Sequence, residues 1–168
     1  INGFSKGFAM TGWRLGYALG NKEILKQMIK IHQYAIMCAP TVSQYAAIEA
    51  MYNGDQDVIY MRESYNQRRR FLYHELQRLG LPCFLPEGAF YMFPDIREFG
   101  MTSEDFALDL LKEEKVAVVP GSAFGDCGEG FIRISYAYSI EELKEALLRI
   151  ERYLNRKRSQ KTESPKQE

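Results

Sequence analysis

The sequence has few of the residues that build metal centres and disulfide frameworks. It holds three cysteines, Cys38, Cys83 and Cys127, and two histidines, His32 and His74. No CxxC pair or Cys/His cluster occurs at metal-ligand spacing, which excludes a zinc-type centre read from sequence. An odd number of widely spaced cysteines predicts free thiols in a reducing compartment, hence a cytoplasmic location, with a single disulfide as the less favoured alternative. Net charge is also missing. Lys+Arg and Asp+Glu both number 22, so there is no general electrostatic reason to expect nucleic acid or an anionic membrane. No apolar run approaches the roughly 20 residues that a membrane span needs. The sequence shows no secretory leader and does not begin with Met, so a fragment or a processed chain is the expectation.

What is present is ordinary globular material: 168 residues, 46% hydrophobic and 26% charged, enough to bury a core. Residues 1–20 read as two short strands, "INGF" and "RLGYAL", around a glycine-containing turn. Asn21 is placed to cap a helix carrying Ile24, Leu25, Met28, Ile29, Ile31 and Ala35 at helical spacing. Pro40 interrupts it, and T-V-S-Q from Thr41 matches a capping box for a second helix. The longest helical pattern runs from about Asp57 to Leu79 and ends at Gly80; a helix of this length often bridges two lobes. Its "NQRRR" run at 66–70 predicts a solvated face. Beyond Gly80, "CFLP", "AFYMFPDI", "VAVVP" and "FIRISYA" read as strands. T-S-E-D at 102–105 and the pair Ser139/Glu142 are capping boxes for two more helices. From Asn155 the composition turns polar and predicts a disordered tail. Mixed strands and helices predict an α/β fold, with a helical connector between a partial first lobe and a two-layer second one.

The first 20 residues carry the densest chemical signal. Lys6 lies among Phe4, Phe8, Met10 and Trp13, which predicts an apolar enclosure. Such an enclosure disfavours a charged amine, and a neutral amine can attack a carbonyl to form a Schiff base. Gly3, Gly7, Gly12 and Gly16 allow close approach of backbone to a ligand. Arg14, eight residues after Lys6, offers a planar guanidinium that can grip a phosphate with paired hydrogen bonds. An amine and a phosphate clamp on one hairpin match the two ends of pyridoxal 5′-phosphate. Taken alone, a lysine and arginine at this spacing are more often plain surface cations. Near the other end, Arg133 stands between Ile132 and Ile134. Strand alternation points it away from the side its neighbours face, where a carboxylate partner would suit it.

The stretch "GFSKGFAMTGWRLG" (3–16) resembles the lysine-attachment motif of the class I, fold-type I pyridoxal-phosphate aminotransferases, and its "MTGWR" core the bacterial branch acting on aspartate and aromatic amino acids. "VAVVPGSAFGDCGEGFIRISYA" (116–137) resembles the carboxy-terminal segment of the same family, and "EGAFYMFPDI" (87–96) its small-domain strand. The resemblance covers about residues 1–154. It implies that Lys6 carries the cofactor and acts in catalysis, that Arg14 binds the cofactor phosphate, and that Arg133 binds the substrate α-carboxylate. Phe90, Tyr91 and Tyr17 are nearer to packing roles than to substrate. One departure stands out: some branches carry a phosphate-binding serine three residues before the lysine, where this chain has Gly3.

The resemblance further implies amino acid and 2-oxo acid substrates, a homodimer, and a chain much longer than this one. The missing part would carry an aspartate for the pyridinium nitrogen, a ring stacked on the cofactor, and most of the large-domain sheet. The expected plan is the end of a large cofactor-binding domain at 1–54, a linker helix at 55–80, a small α/β domain at 81–156 and a disordered tail at 157–168. By itself such a fragment is expected to be inactive. A different reaction on the same scaffold (a carbon–sulfur lyase or a synthase), and a noncatalytic interaction domain, remain as alternatives.

Overall fold

The chain divides into two units, Ile1–Glu63 and Ser64 onward, and this computed structural model describes residues 1–163. The architecture is mixed α/β and mostly helical. Among the described residues no helix is long and apolar enough to cross a membrane.

In the first unit, strand β1 (Asn2–Gly3) pairs antiparallel with β2 (Gly16–Tyr17), Asn2 opposite Tyr17 and Gly3 opposite Gly16. The expected hairpin turn is instead a folded loop. It holds a one-turn helix, α1 (Phe4–Gly7), and a 3-10 turn at Thr11–Trp13. Helix α2 (Lys22–Ala35) starts where expected, with the Asn21 side chain accepting from the Glu23 amide at 2.8 Å. Helix α3 (Thr41–Asn53) does not use the expected capping box: Pro40 is the N-cap and no side chain caps it. The core of this unit is small. Phe4, Met10 and Ala47 are buried, with Phe8, Leu15, Ala46 and Ala50 packed around them. No residue of α2 is buried, although its apolar stripe has helical period.

Helix α4 (Asp55–Arg78) begins in the first unit and ends in the second. Asp55 and Asp57 lie in its first turn, the end of a helix that favours negative charge. It stops at Gly80, whose φ of +75° suits a residue without a Cβ; Leu81 N–H donates back to the Leu76 carbonyl at 2.9 Å. Its basic run is not wholly solvated. Arg69, half-buried, donates to the Pro86 carbonyl at 2.6 Å and to Asn66 at 2.8 Å.

The second unit is a three-stranded antiparallel sheet with helices on one face. Strands β3 (Tyr91–Met92), β4 (Val119–Pro120) and β5 (Ile132–Ser135) lie in the order β3-β5-β4. They are shorter than the sequence suggests: residues 82–85 form no strand, and only the end of "VAVVP" pairs. Helix α5 (Ser103–Glu114) is capped by Thr102, which accepts from the Asp105 amide at 3.1 Å. Helix α6 (Ile140–Glu163) follows the Ser139/Glu142 box, in which each residue's amide donates to the other's side chain. Met92, Ile132 and Tyr136 from the sheet strands and the residue beyond β5 face Leu76, Phe106 and Leu147 from the three helices, all buried. Burying a leucine or phenylalanine contributes about 1.5–3 kcal/mol. Arg78 on α4 pairs with Glu151 on α6 at 2.7 Å.

The last helix continues to Glu163, through residues whose polar composition predicts a tail. Polar contacts hold it. Arg158 donates to the Leu79 carbonyl at 2.9 Å and pairs with Glu98. Lys161 donates to the Glu98 carbonyl at 2.6 Å. Residues 164–168, the end of the expected tail, lie outside the described residues.

Candidate functional site

Pairing of β1 with β2 makes one closed loop of residues 4–15, and that loop carries both Lys6 and Arg14. Its footing is apolar. Phe4 and Met10 are 6% exposed and pack on the Ala46, Ala47 and Ala50 side of α3. Phe4 also meets the rings of Phe8 at 5.5 Å and Tyr17 at 5.4 Å, which gives Tyr17 the packing role expected of it. Lys6 follows Phe4 by two residues on α1. At 3.6 residues per turn, such neighbours point to opposite sides. Phe4 therefore turns inward and the Lys6 side chain is exposed. The expected apolar enclosure of the lysine is corrected accordingly: the hydrophobic neighbours anchor its backbone and do not surround its amine.

Arg14 is likewise exposed. It ends the 3-10 turn with φ +54° and ψ +47°, a left-handed conformation that costs a non-glycine residue on the order of 1–2 kcal/mol. Ala9, on the same loop, has φ +53°. The loop keeps these conformations because it is tied down at several points. The Ser43 hydroxyl, buried on α3, donates to the Trp13 carbonyl at 2.7 Å. The Phe4 amide donates to the Leu15 carbonyl at 3.3 Å, and Trp13 N–H to the Met10 carbonyl at 3.2 Å. Arg14 itself spends one donor, Nη1, on the Thr11 carbonyl at 3.1 Å. That bond sets the direction of a guanidinium that still has in-plane donors for an anion. A Cβ added at Gly7 or Gly12 would meet nothing within 4 Å, so the loop is open on the side of both glycines.

An amine and a guanidinium on one braced loop fit a group with a carbonyl at one end and a phosphate at the other. The chemistry of this donor set, a carbonyl-reactive amine and an anion-binding guanidinium, fits the expected pyridoxal phosphate.

In the second unit, the strand alternation expected around Arg133 is present. Ile132 and Ile134 are 0% and 9% exposed, while Arg133 lies half-buried on the opposite face. None of the ion pairs among the described residues involves it, so the structural salt bridge that a buried arginine commonly makes is absent there. Two rings accompany it instead: the guanidinium lies over Tyr91 at 4.2 Å and over Phe124 at 4.7 Å. Tyr91 thus has a second partner beyond core packing. Phe90 stays with the packing role, stacked on Tyr65 at 5.9 Å.

Sequence reasoning missed Phe124 and the bracing role of Ser43. Odd-numbered spacing along 91, 93, 131 and 133 marks one sheet face and offered a signal for the ring pairs. Nothing local marks Ser43. Cys38, Cys83 and Cys127 are unpaired.

The family model for aminotransferase class I and II matches residues 1–150. The YugH protein of Bacillus subtilis (strain 168) is 56% identical over 156 residues, 93% of this chain and 40% of that protein. An aspartate aminotransferase of Pyrococcus abyssi is 48% identical, over 94% of this chain and 41% of its own length. The crystal structure of an aromatic aminotransferase from Pyrococcus horikoshii OT3 superposes with a TM-score of 0.89 at 48% identity, over 93% of this chain and 42% of that one. The chain therefore spans about two fifths of the length of the relatives it matches.

Proposed function

Because the chain belongs to the class I and II aminotransferase family, whose members use pyridoxal phosphate, we propose that it is the lysine-bearing part of an enzyme that moves an amino group from an amino acid to a 2-oxo acid. The observation that carries this reading is the shared loop: Lys6 and Arg14 are both displayed on one segment closed by β1–β2 pairing and pinned to α3 by Ser43.

When bound, the cofactor supplies a carbonyl carbon and an electron-withdrawing ring that stabilises negative charge at the substrate α carbon. Lys6 would hold that group through Nζ, and Nζ, as a neutral amine, would take the substrate's α proton as general base. Arg14 holds the phosphate by charge-assisted hydrogen bonds and moves no proton. Arg133 receives the substrate α-carboxylate on its in-plane N–H edge. The plan at 1–54, 55–80 and 81–156 belongs to the same reading: end of a large domain, linker helix, small domain. So do a homodimeric whole protein and a cytoplasmic location; exposed apolar side chains on α2 and α3, such as Ile31 and Tyr45, support association, and unpaired thiols suit a reducing compartment.

The test uses the full-length protein loaded with pyridoxal phosphate. Amino acid and 2-oxo acid are supplied together, and new oxo acid and released ammonia are both measured. The reading expects oxo acid without ammonia, abolished by Lys6→Ala. Ammonia without amino transfer would place the protein among the lyases.

A further inference from the structure

Three elements of the second unit meet at the buried hydroxyl of Ser103, the first residue of α5. The Glu129 carboxylate, on the lead-in to β5, accepts from the Ser103 amide at 2.7 Å, the Ser103 hydroxyl at 2.9 Å and the Gly130 amide at 3.0 Å. These donors, the Ser103 amide foremost, hold the Glu129 carboxyl below its usual range against an opposing push from burial. A carboxylate only accepts, so the Ser103 proton goes to Glu129. The Ser103 oxygen then accepts from the Ser122 amide at 3.3 Å and meets the Ser122 hydroxyl at 3.1 Å. Ser122 belongs to the 3-10 turn Gly121–Phe124 that follows β4. Its carbonyl accepts from the Gly125 amide at 3.1 Å, which closes the turn around Phe124. Helix α5 already has a side-chain cap in Thr102.

Phe124 is 47% exposed, so burial alone does not fix its ring, and the turn has to place it. Phe93 meets the ring edge-on at 5.8 Å, and the Arg133 guanidinium carbon lies 4.7 Å from its centre. We propose that Glu129 is a positioning residue: through Ser103 and Ser122 it pins to α5 the turn that sets Phe124 against Arg133. The inference rests on the reading of Arg133 as the residue that receives the substrate carboxylate. An arginine side chain loses rotamer freedom when it binds a ligand, and a neighbour that restrains it beforehand lowers that cost. Glu129 itself touches no substrate and moves no proton. Its effect therefore falls on substrate binding and spares the chemical step. Cofactor binding is spared as well, because Lys6 and Arg14 stand on the loop of the first unit.

The experiment compares full-length holoenzyme with its Glu129→Ala, Ser103→Ala, Phe124→Ala and Arg133→Lys variants and with the Glu129→Ala, Phe124→Ala double variant. KM and kcat are measured for an amino acid substrate, with the inhibition constant of butanoate, the dissociation constant of pyridoxal phosphate and the melting temperature. Glu129→Ala and Ser103→Ala are each expected to raise KM and the butanoate constant about fivefold, the scale of one net hydrogen bond. Turnover and the pyridoxal phosphate constant should change less than about twofold. In the Phe124→Ala background, Glu129→Ala should add less than about twofold, because its effect passes through that ring. A role in stability alone would lower the melting temperature and leave KM and the butanoate constant as they are. That result overturns the inference, as does a rise that persists in full in the Phe124→Ala background. Ser103→Ala removes a single oxygen and decides the matter should Glu129→Ala fail to fold. Unchanged KM and butanoate constant in Arg133→Lys would overturn the reading of Arg133 itself. A raised KM in Arg133→Lys beside an unchanged KM in Glu129→Ala would overturn the inference alone.

Discussion

The Ser43 hydroxyl donates to the Trp13 carbonyl oxygen at 2.7 Å, across 30 residues of sequence. One bond of this kind contributes about 1 kcal/mol. Its place gives it more weight than that, because Trp13 immediately precedes the left-handed Arg14. Ser43→Ala is expected to lower stability by about 1 kcal/mol and to weaken pyridoxal phosphate binding by the full-length protein several-fold. Thermal melting and a cofactor titration read the two effects. Ser43→Thr, which keeps the hydroxyl, should restore the titration.

Arg14 should act on the cofactor's phosphate end and nowhere else. Arg14→Gln is expected to weaken binding of pyridoxal phosphate by about 1.5–3 kcal/mol, the scale of hydrogen bonds to charged groups, and to leave binding of phosphate-free pyridoxal nearly unchanged. Equal losses for both ligands would assign Arg14 a structural role.

The loop bearing Phe124 depends on two glycines set against each other. A Cβ at Gly121 would fall inside contact distance of the carbonyl oxygens of Gly128 and Phe131, backbone atoms that cannot swing away. Gly121→Ala is therefore expected to destabilise the second unit by about 2 kcal/mol or more, in the range of overpacking. Gly125→Ala strains a loop with φ +108° but meets no neighbour within 4 Å, so any loss there comes from backbone conformation alone. Melting curves of the two variants separate crowding from strain.

Acid should destabilise the second unit through Asp109. Its carboxylate accepts from Lys157 at 2.5 Å and from the buried Tyr153 hydroxyl at 2.9 Å. The Lys157 ammonium, foremost, and the Tyr153 hydroxyl hold the carboxyl below its usual range, against an opposing push from burial. A carboxyl with a lower pKa folded than unfolded stabilises the fold above its unfolded pKa of about 4. That contribution shrinks as pH falls from about 4 through the depressed folded value, where the unfolded chain binds the proton first. Denaturant midpoints measured between pH 7 and pH 2 should drop over this window, and Asp109→Asn should flatten the drop.

Much of this architecture is legible in the sequence where the signal is local. Asn21, Thr102 and the Ser139/Glu142 pair announce their helices, and each makes the cap that its residue type predicts. The motif around Lys6 and Arg14 is legible as that of the aminotransferase family, and the 132–134 alternation correctly turns Arg133 away from the core. The failures are non-local. Thr41 has the letters of a capping box, but Pro40 occupies the cap. Lys6 has apolar neighbours in sequence, yet helical geometry sends Phe4 inward and the lysine out. Whether α6 stops at 156 or runs to Glu163 depends on Glu98 and the Leu79 carbonyl, more than 50 residues upstream of the helix end. The Tyr91–Arg133–Phe124 grouping needs three elements to meet, which no window of sequence displays.

Attachment of the cofactor to Lys6 is tested most directly by treating the full-length protein with pyridoxal phosphate, reducing the carbon–nitrogen double bond with borohydride, and locating the added mass by peptide mapping. One phosphopyridoxyl group per chain is expected, on Lys6, lost in Lys6→Ala. Stoichiometric label on any other lysine, or label unchanged in Lys6→Ala, would contradict it.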